Sequence, residues 1–144
     1  MAVKRVSPAE ARDLMDKQGY VYVDVRSLPE FAAGHPKGAF NVPLMNMGPG
    51  GMTPNPEFLT VMGAFPRDAK LIVGCQAGGR SARAAAMLES AGYTDVVDQR
   101  AGFEGAPDPA TGRIREPGWR PAGLPVSTDP LPDRTYEALK AKLR

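Results

Sequence analysis

The apolar positions of this chain follow two periods that alternate along it, and the alternation predicts strands and helices in turn. YVYVDV at 20–25 is β-branched and aromatic and reads as a strand. KLIVG at 70–74 is apolar almost throughout, which predicts a central strand buried on both faces. GAFNVP at 38–43 and TDVVDQ at 94–99 add two more extended segments. Helical stretches fall between them, each with its own punctuation. SPAE at 7–10 carries three start signals: Ser7 as a cap, Pro8 at the first helical position and Glu10 completing a capping box. That helix is expected to run to Lys17, with Gly19 helping to end it. PEFAAG at 29–34 predicts a short helix stopped by Gly34, and Asn55-Pro56 predicts the start of one that runs to about Gly63. A further helix is expected from about Ser81 to Ala91, with Gly92 as its stop. Strands alternating with helices imply an α/β domain, a central parallel sheet with helices on both faces.

Two stretches break the pattern. Residues 45–53, MNMGPGGMT, read as a loop rich in Gly and Met. Residues 105–132 are heavy in Pro and Gly and hold the sole tryptophan, Trp119; they predict a long irregular excursion anchored by that ring. The segment 133–144 then predicts a closing helix, capped by Asp133, with Tyr136, Leu139 and Leu143 on one face. The 144 residues suit a single domain spanning 1–144, and no internal repeat is visible.

Composition narrows the classes. The chain is 42% hydrophobic and 24% charged, ordinary values for a globular protein. Its net charge is +2 with Lys and Arg scattered, so there is no basic stripe for nucleic acid. One cysteine excludes an internal disulfide and fits a reducing compartment. The first 18 residues lack the apolar stretch of a secretory signal, and no run approaches the ~20 apolar residues of a membrane span. A cytoplasmic location is the expectation.

The chemistry concentrates in LIVGCQAGGRS, residues 71–81: strand, tight loop, helix start. Gly74 through Ser81 fits the Walker A spacing, but with Arg80 where that motif needs a lysine, and a planar guanidinium does not replace a compact ammonium between phosphates. A thiol at a strand end followed by an arginine at a helix start also resembles the cysteine phosphatases and arsenate reductases. Their spacing is C-x5-R, whereas Cys75 to Arg80 is C-x4-R, which leaves a smaller ring of amides.

CQAGGRS most closely resembles the active loop of single-domain rhodaneses, the thiosulfate sulfurtransferases, and the resemblance extends beyond the loop. YVYVDVRSLPEFAAGHPKGAFNVP at 20–43 is similar to that family's DVR and GHIxGAxNIP motifs, ESAGYTDVVDQRAGFEG at 89–105 to its next region, and GWRPAGLPV at 118–126 to its close. Pro36 stands where the family has Ile, and APDPATGRIREP at 106–117 resembles an insertion. The resemblance implies a rhodanese-like fold and transfer of sulfane sulfur through a persulfide on Cys75, from thiosulfate or a related small anionic donor to cyanide, a thiol or a protein acceptor.

The residue types suit that chemistry. A thiol at a helix N-terminus beside an arginine ionises more readily than a free one. Gly78 and Gly79 let backbone N–H groups turn inward as an anion-binding nest, with Gln76 and Ala77 shaping its mouth. Arg80 is expected to hold the donor's sulfonate, and Ser81 to cap the helix or donate a hydroxyl hydrogen bond. No metal or organic cofactor is implied. His35, the only histidine, is expected to serve the turn before GAFNVP rather than act as a base, and Asp24 and Arg26 to pair and fix the fold. Two other classes stay open: a non-turnover sulfur carrier or regulatory module, and a phosphatase or arsenate reductase.

Overall fold

The computed structural model describes residues 3–143. Five parallel strands form the central sheet: β1 (Lys4–Val6), β2 (Val21–Asp24), β4 (Phe40–Asn41), β7 (Leu71–Gly74) and β8 (Val96–Gln99). Their spatial order is β1-β8-β7-β2-β4. β7 is central as its composition predicts, with Leu71, Ile72 and Val73 all fully buried.

Alternation along the strands feeds two cores. Val23, Val25, Leu71 and Val73 point to one face, where α3 (Phe58–Met62), α4 (Gly79–Ser90) and α5 (Tyr136–Lys142) pack. Tyr22, Ile72 and Val97 point to the other, against Ala11 of α1 (Pro8–Gln18), Phe31 of α2 (Leu28–Ala33), Phe103 and Trp119. This is the α/β architecture with helices on both faces that the alternation predicts. α1 has its capping box: Ser7 accepts from the Glu10 amide at 3.1 Å while the Glu10 carboxylate accepts from the Ser7 amide at 2.9 Å. Gly19 closes the helix in the left-handed conformation, φ 74°.

The chain leaves β2 for α2 and the β4 edge, but leaves β7 for α4 and β8 on the opposite side. The connections therefore part between the carboxyl ends of β2 and β7. In a doubly wound sheet this switch point opens a crevice, and Cys75 stands at it.

Several expectations need correction. Residues 45–53 form a hairpin rather than a loop: β5 (Met45–Gly48) pairs antiparallel with β6 (Gly51–Pro54), with Met47 opposite Met52 and both exposed. The helix expected from Asn55 begins at Phe58, because Asn55 turns its side chain back to accept from the Glu57 amide and to donate to the Pro43 carbonyl and Tyr136 hydroxyl. α4 starts at Gly79 with Gly78 as its N-cap, so Ser81 lies inside the first turn and does not cap it; its other end is as expected, with Ala91 as C-cap and Gly92 in left-handed backbone, φ 96°, just beyond it. Thr135, not Asp133, caps α5, accepting from the Ala138 amide, and Leu143 is exposed rather than sharing the buried face of Tyr136 and Leu139. The edge strand β1 escapes the hydrophobic pattern because two of its three residues are exposed cations.

The excursion at 105–132 is more ordered than its composition suggests. β9 (Gly105–Pro107) pairs antiparallel with β10 (Ile114–Pro117), and β11 (Val126–Ser127) pairs with β3 (His35–Pro36). Trp119 is buried as expected, edge-on to Tyr22, and its indole N–H donates to the Pro125 carbonyl at 2.7 Å.

Candidate active site

β7 ends at Gly74, whose position admits no side chain: an added Cβ would lie 1.8 Å from the Tyr22 hydroxyl. Cys75 follows and is buried, 2% exposed. The loop then turns so that its sulfur accepts from two backbone amides, Gly78 N at 3.1 Å and Ser81 N at 3.3 Å. Only a glycine suits position 78. Its φ is 103°, and a Cβ there would stand 2.3 Å from the Arg100 carbonyl oxygen. Gly79 is different: it has ordinary helical backbone and open space around it, so the turn depends on Gly78 alone. Gly79 and Arg80 open α4, and first-turn amides have no carbonyl four residues back to bond. The arrangement complements a sulfur bearing negative charge and a small anion beside it.

A second loop clamps the first. The Phe103 amide donates to the Cys75 carbonyl at 2.7 Å, and the Glu104 amide to the Gln76 carbonyl at 3.1 Å. Gly102, φ 72°, lets that loop lie flat on the peptide of Gln76; a Cβ there would meet the Gln76 backbone at 2.5 Å. Gln76 contributes its side chain as well as its backbone: Oε1 accepts from Arg26 Nη1 at 3.2 Å. Ala77 is exposed at the turn.

Asp24 and Arg26 pair as expected, both buried, with Nη2 2.7 Å from Oδ2. Arg26 also donates to the Gly34 carbonyl at 2.6 Å, and its guanidinium lies over the Phe103 ring at 4.3 Å. Arg26, Glu30, Gln76, Phe103, Glu104 and Arg120 thus line a cleft of ≈ 240 Å³ beside the loop. His35 stacks on Phe31 with ring centroids 3.9 Å apart and bonds the Phe31 carbonyl through Nδ1 at 2.9 Å, the structural part expected of it.

Three functional neighbours lie outside the motif. The guanidinium of Arg80 meets the Glu30 carboxylate in a two-pronged pair at 2.7 and 3.0 Å. Burial pushes the Glu30 carboxyl up, but hydrogen bonds from Arg80 and from the Ser27 hydroxyl and amide outweigh it and hold it down to about 2. The same pair raises Arg80 against the effect of its burial. On the other side of the loop the Ser81 hydroxyl donates to Asp98 Oδ1 at 2.6 Å, and Asp98 Oδ2 accepts from Arg5 Nε at 2.9 Å. Burial raises the Asp98 carboxyl, against the lowering effect of its bonds to Ser81 and Arg5. Glu30 had a sequence signal, since Ser27 and Glu30 form a second capping box. Asp98 is brought to the site by the pairing of β8 with β7, and Arg5 by the pairing of β1 with β8.

Comparison with known proteins gives one coherent result. The family model for a rhodanese-like domain matches residues 7–106. Thiosulfate sulfurtransferase 16, chloroplastic, of Arabidopsis thaliana is 48% identical over 99 residues, covering 68% of this chain and 82% of the relative. Thiosulfate sulfurtransferase GlpE of Pseudomonas fluorescens is 40% identical over 101 residues, 70% of this chain and 82% of the relative. The chain spans about half the length of two other relatives, senescence-associated protein DIN1 of Raphanus sativus and rhodanese-like domain-containing protein 15 of Arabidopsis thaliana, 51% of each. Among solved structures, Rv0390 from M. tuberculosis aligns with TM-score 0.72 at 30% identity, over 90% of this chain and all of that one.

Proposed function

This chain belongs to the rhodanese-like domain family and is a thiosulfate sulfurtransferase-like enzyme, and we propose that it works through a persulfide on Cys75. One observation carries the proposal: the sulfur of Cys75 sits at the floor of the loop with the Gly78 and Ser81 amides aimed at it. Those donors favour an anionic sulfur and cost no reorganisation when it forms.

In the first step the Cys75 thiolate attacks the outer sulfur of thiosulfate. The sulfur–sulfur bond of the donor breaks, sulfite leaves with the electron pair, and Cys75 carries a persulfide. In the second step cyanide or a thiol takes the outer sulfur and the thiolate returns. Arg80 receives the donor's sulfonate by exchanging it for the Glu30 carboxylate, since both present oxygens to the same guanidinium fork. The Gln76–Arg26 bond and the Phe103 and Glu104 amides keep the loop from opening while it does so.

That pair also favours a second reading. With Arg80 already partnered, a domain that accepts sulfur slowly and holds it would be a carrier. One experiment separates the two. Protein incubated with thiosulfate is weighed intact, then given cyanide while thiocyanate is followed. One added sulfur atom with turnover, both lost in Cys75→Ser, is the expected result. A stable adduct without turnover would make the chain a carrier. No adduct, or turnover retained in Cys75→Ser, would overturn the persulfide.

A further inference from the structure

Behind the loop, three side chains stand in series. Cys75 Sγ is 3.5 Å from Ser81 Oγ, Ser81 Oγ is 2.6 Å from Asp98 Oδ1, and all three residues are buried. Ser81 has one hydroxyl hydrogen. Two acceptors lie within reach of it, Asp98 and the Gly78 carbonyl at 3.3 Å, and the shorter, charge-assisted bond to Asp98 takes it. While Asp98 is ionised, Ser81 therefore turns a lone pair towards the sulfur, which suits a protonated thiol donating to it. The same hydroxyl suits an anionic sulfur only if its hydrogen swings round, and a proton on Asp98, which then donates to Ser81 Oγ, favours that swing.

We propose that Cys75, Ser81 and Asp98 form a proton relay, in which Asp98 takes up by way of the Ser81 hydroxyl the proton that Cys75 gives up. The S–H bond breaks and its hydrogen passes to Ser81 Oγ. The O–H bond of Ser81 breaks and its hydrogen passes to Asp98 Oδ1. Negative charge moves from carboxylate to sulfur, and nothing is oxidised or reduced. The sulfur then has three donors, the Gly78 and Ser81 amides and the Ser81 hydroxyl. Asp98 acts through Ser81 and is a positioning residue, not one that touches the substrate.

The surroundings of Asp98 fit the task. Its burial favours the protonated carboxyl. The charged groups that face it are Arg5 from β1, bonded to Oδ2, and Glu89 of α4, which lines the cleft beside Arg5 and Asp98. The hydrogen bond and charge of Arg5 oppose the effect of burial and favour the carboxylate, and its guanidinium reaches solvent. When two groups share one proton they titrate as a pair.

The relay rests on the reading of Cys75 as the sulfur acceptor, and its test avoids sulfur transfer altogether. In the full chain, alkylation of the single cysteine by iodoacetamide is timed across pH for wild type, Asp98→Asn and Ser81→Ala, with circular dichroism to verify folding. Wild type is expected to ionise in two steps: a partial rise as the first proton leaves the pair, and completion as the second leaves. Both variants are expected to lose the lower step. A single step in wild type, or a lower step that survives in Asp98→Asn, would overturn the relay. Infrared spectra of wild type give a second measurement that needs no variant. With one thiol in the chain, its S–H stretch is expected to fade in the same two steps; fading in one overturns the relay. Neither result depends on whether thiosulfate leaves a sulfur adduct, so failure of the persulfide is read separately by mass.

Discussion

Arg80 and Glu30 lie 50 residues apart in sequence and meet through two parallel hydrogen bonds of 2.7 and 3.0 Å at the rim of the Cys75 loop. The same carboxylate accepts from the Ser27 amide and hydroxyl at 3.1 and 2.8 Å. One side chain therefore caps α2 and restrains the first turn of α4. Arg80 is already paired in this structure, and under the proposed function an anionic donor competes with Glu30 for it.

Removing the competitor should favour the donor. In Glu30→Gln the KM for thiosulfate is expected to fall by about fivefold, the equivalent of ~1 kcal/mol for a partly exposed ion pair, with kcat changing less. Arg80→Lys should raise KM, because an ammonium cannot offer the two-pronged fork. Steady-state kinetics with thiosulfate and cyanide check both. An unchanged KM in Glu30→Gln would show that Arg80 is not the donor's cation.

The pair also has a pH signature. The Glu30 carboxyl is held down to about 2 from an ordinary value of 4.5, so folding favours its ionised form. Such a group contributes stability that is complete above the unfolded value and is lost as pH falls through the folded one. Allowing for solvent screening, the contribution is about 1 kcal/mol. Urea unfolding of wild type and Glu30→Gln should differ by about that amount near neutrality, and the gap should close between pH 4.5 and about 2.

The adjacent glycines of the loop should respond oppositely to alanine. At Gly78 a methyl group meets the Arg100 carbonyl oxygen at 2.3 Å on left-handed backbone, so Gly78→Ala must move the chain that aims an amide at Cys75. A loss of ~2 kcal/mol or more in stability is expected, along with loss of sulfur uptake. At Gly79 there is room, the backbone is helical, and alanine restricts the unfolded chain. Gly79→Ala should be neutral or stabilising by up to ~1 kcal/mol. Chemical denaturation and the mass of the sulfur adduct test the contrast.

These residues also show how far the sequence reaches. Cys75, Gly78, Arg80 and Ser81 fall within one short stretch, residues 75–81, so their chemistry is visible as a motif. The apolar run of β7 and the capping box of α1 declare themselves by local rules. Asp98 reaches the site because β8 pairs with β7, and Arg5 because β1 pairs with β8; a partner supplied by a neighbouring strand leaves no local trace. The hairpin at β5 and β6 was hidden for another reason. Its glycines and prolines read as loop, and its strands are exposed, so no apolar alternation marks them. Of the two parts open to Ser81, cap or hydroxyl donor, the fold selects the donor: glycine at position 78 takes the N-cap, which frees the serine hydroxyl for Asp98.

The buried pair of Asp24 and Arg26 should join stability to activity in a way that can be separated. Asp24→Asn leaves the guanidinium buried without a counter-charge, which is expected to cost about 3–5 kcal/mol in urea unfolding. Replacing both residues with apolar ones of similar volume, Asp24→Leu with Arg26→Met, should recover most of that loss, because no charge is then left unpaired. It cannot recover the bond from Arg26 to Gln76 Oε1, nor the contact of the guanidinium with Phe103, whose amide holds the Cys75 carbonyl. The double variant is therefore expected to be folded, yet slower in taking up sulfur. If it regains stability and wild-type sulfur uptake together, Arg26 supports the fold alone and the loop does not need it.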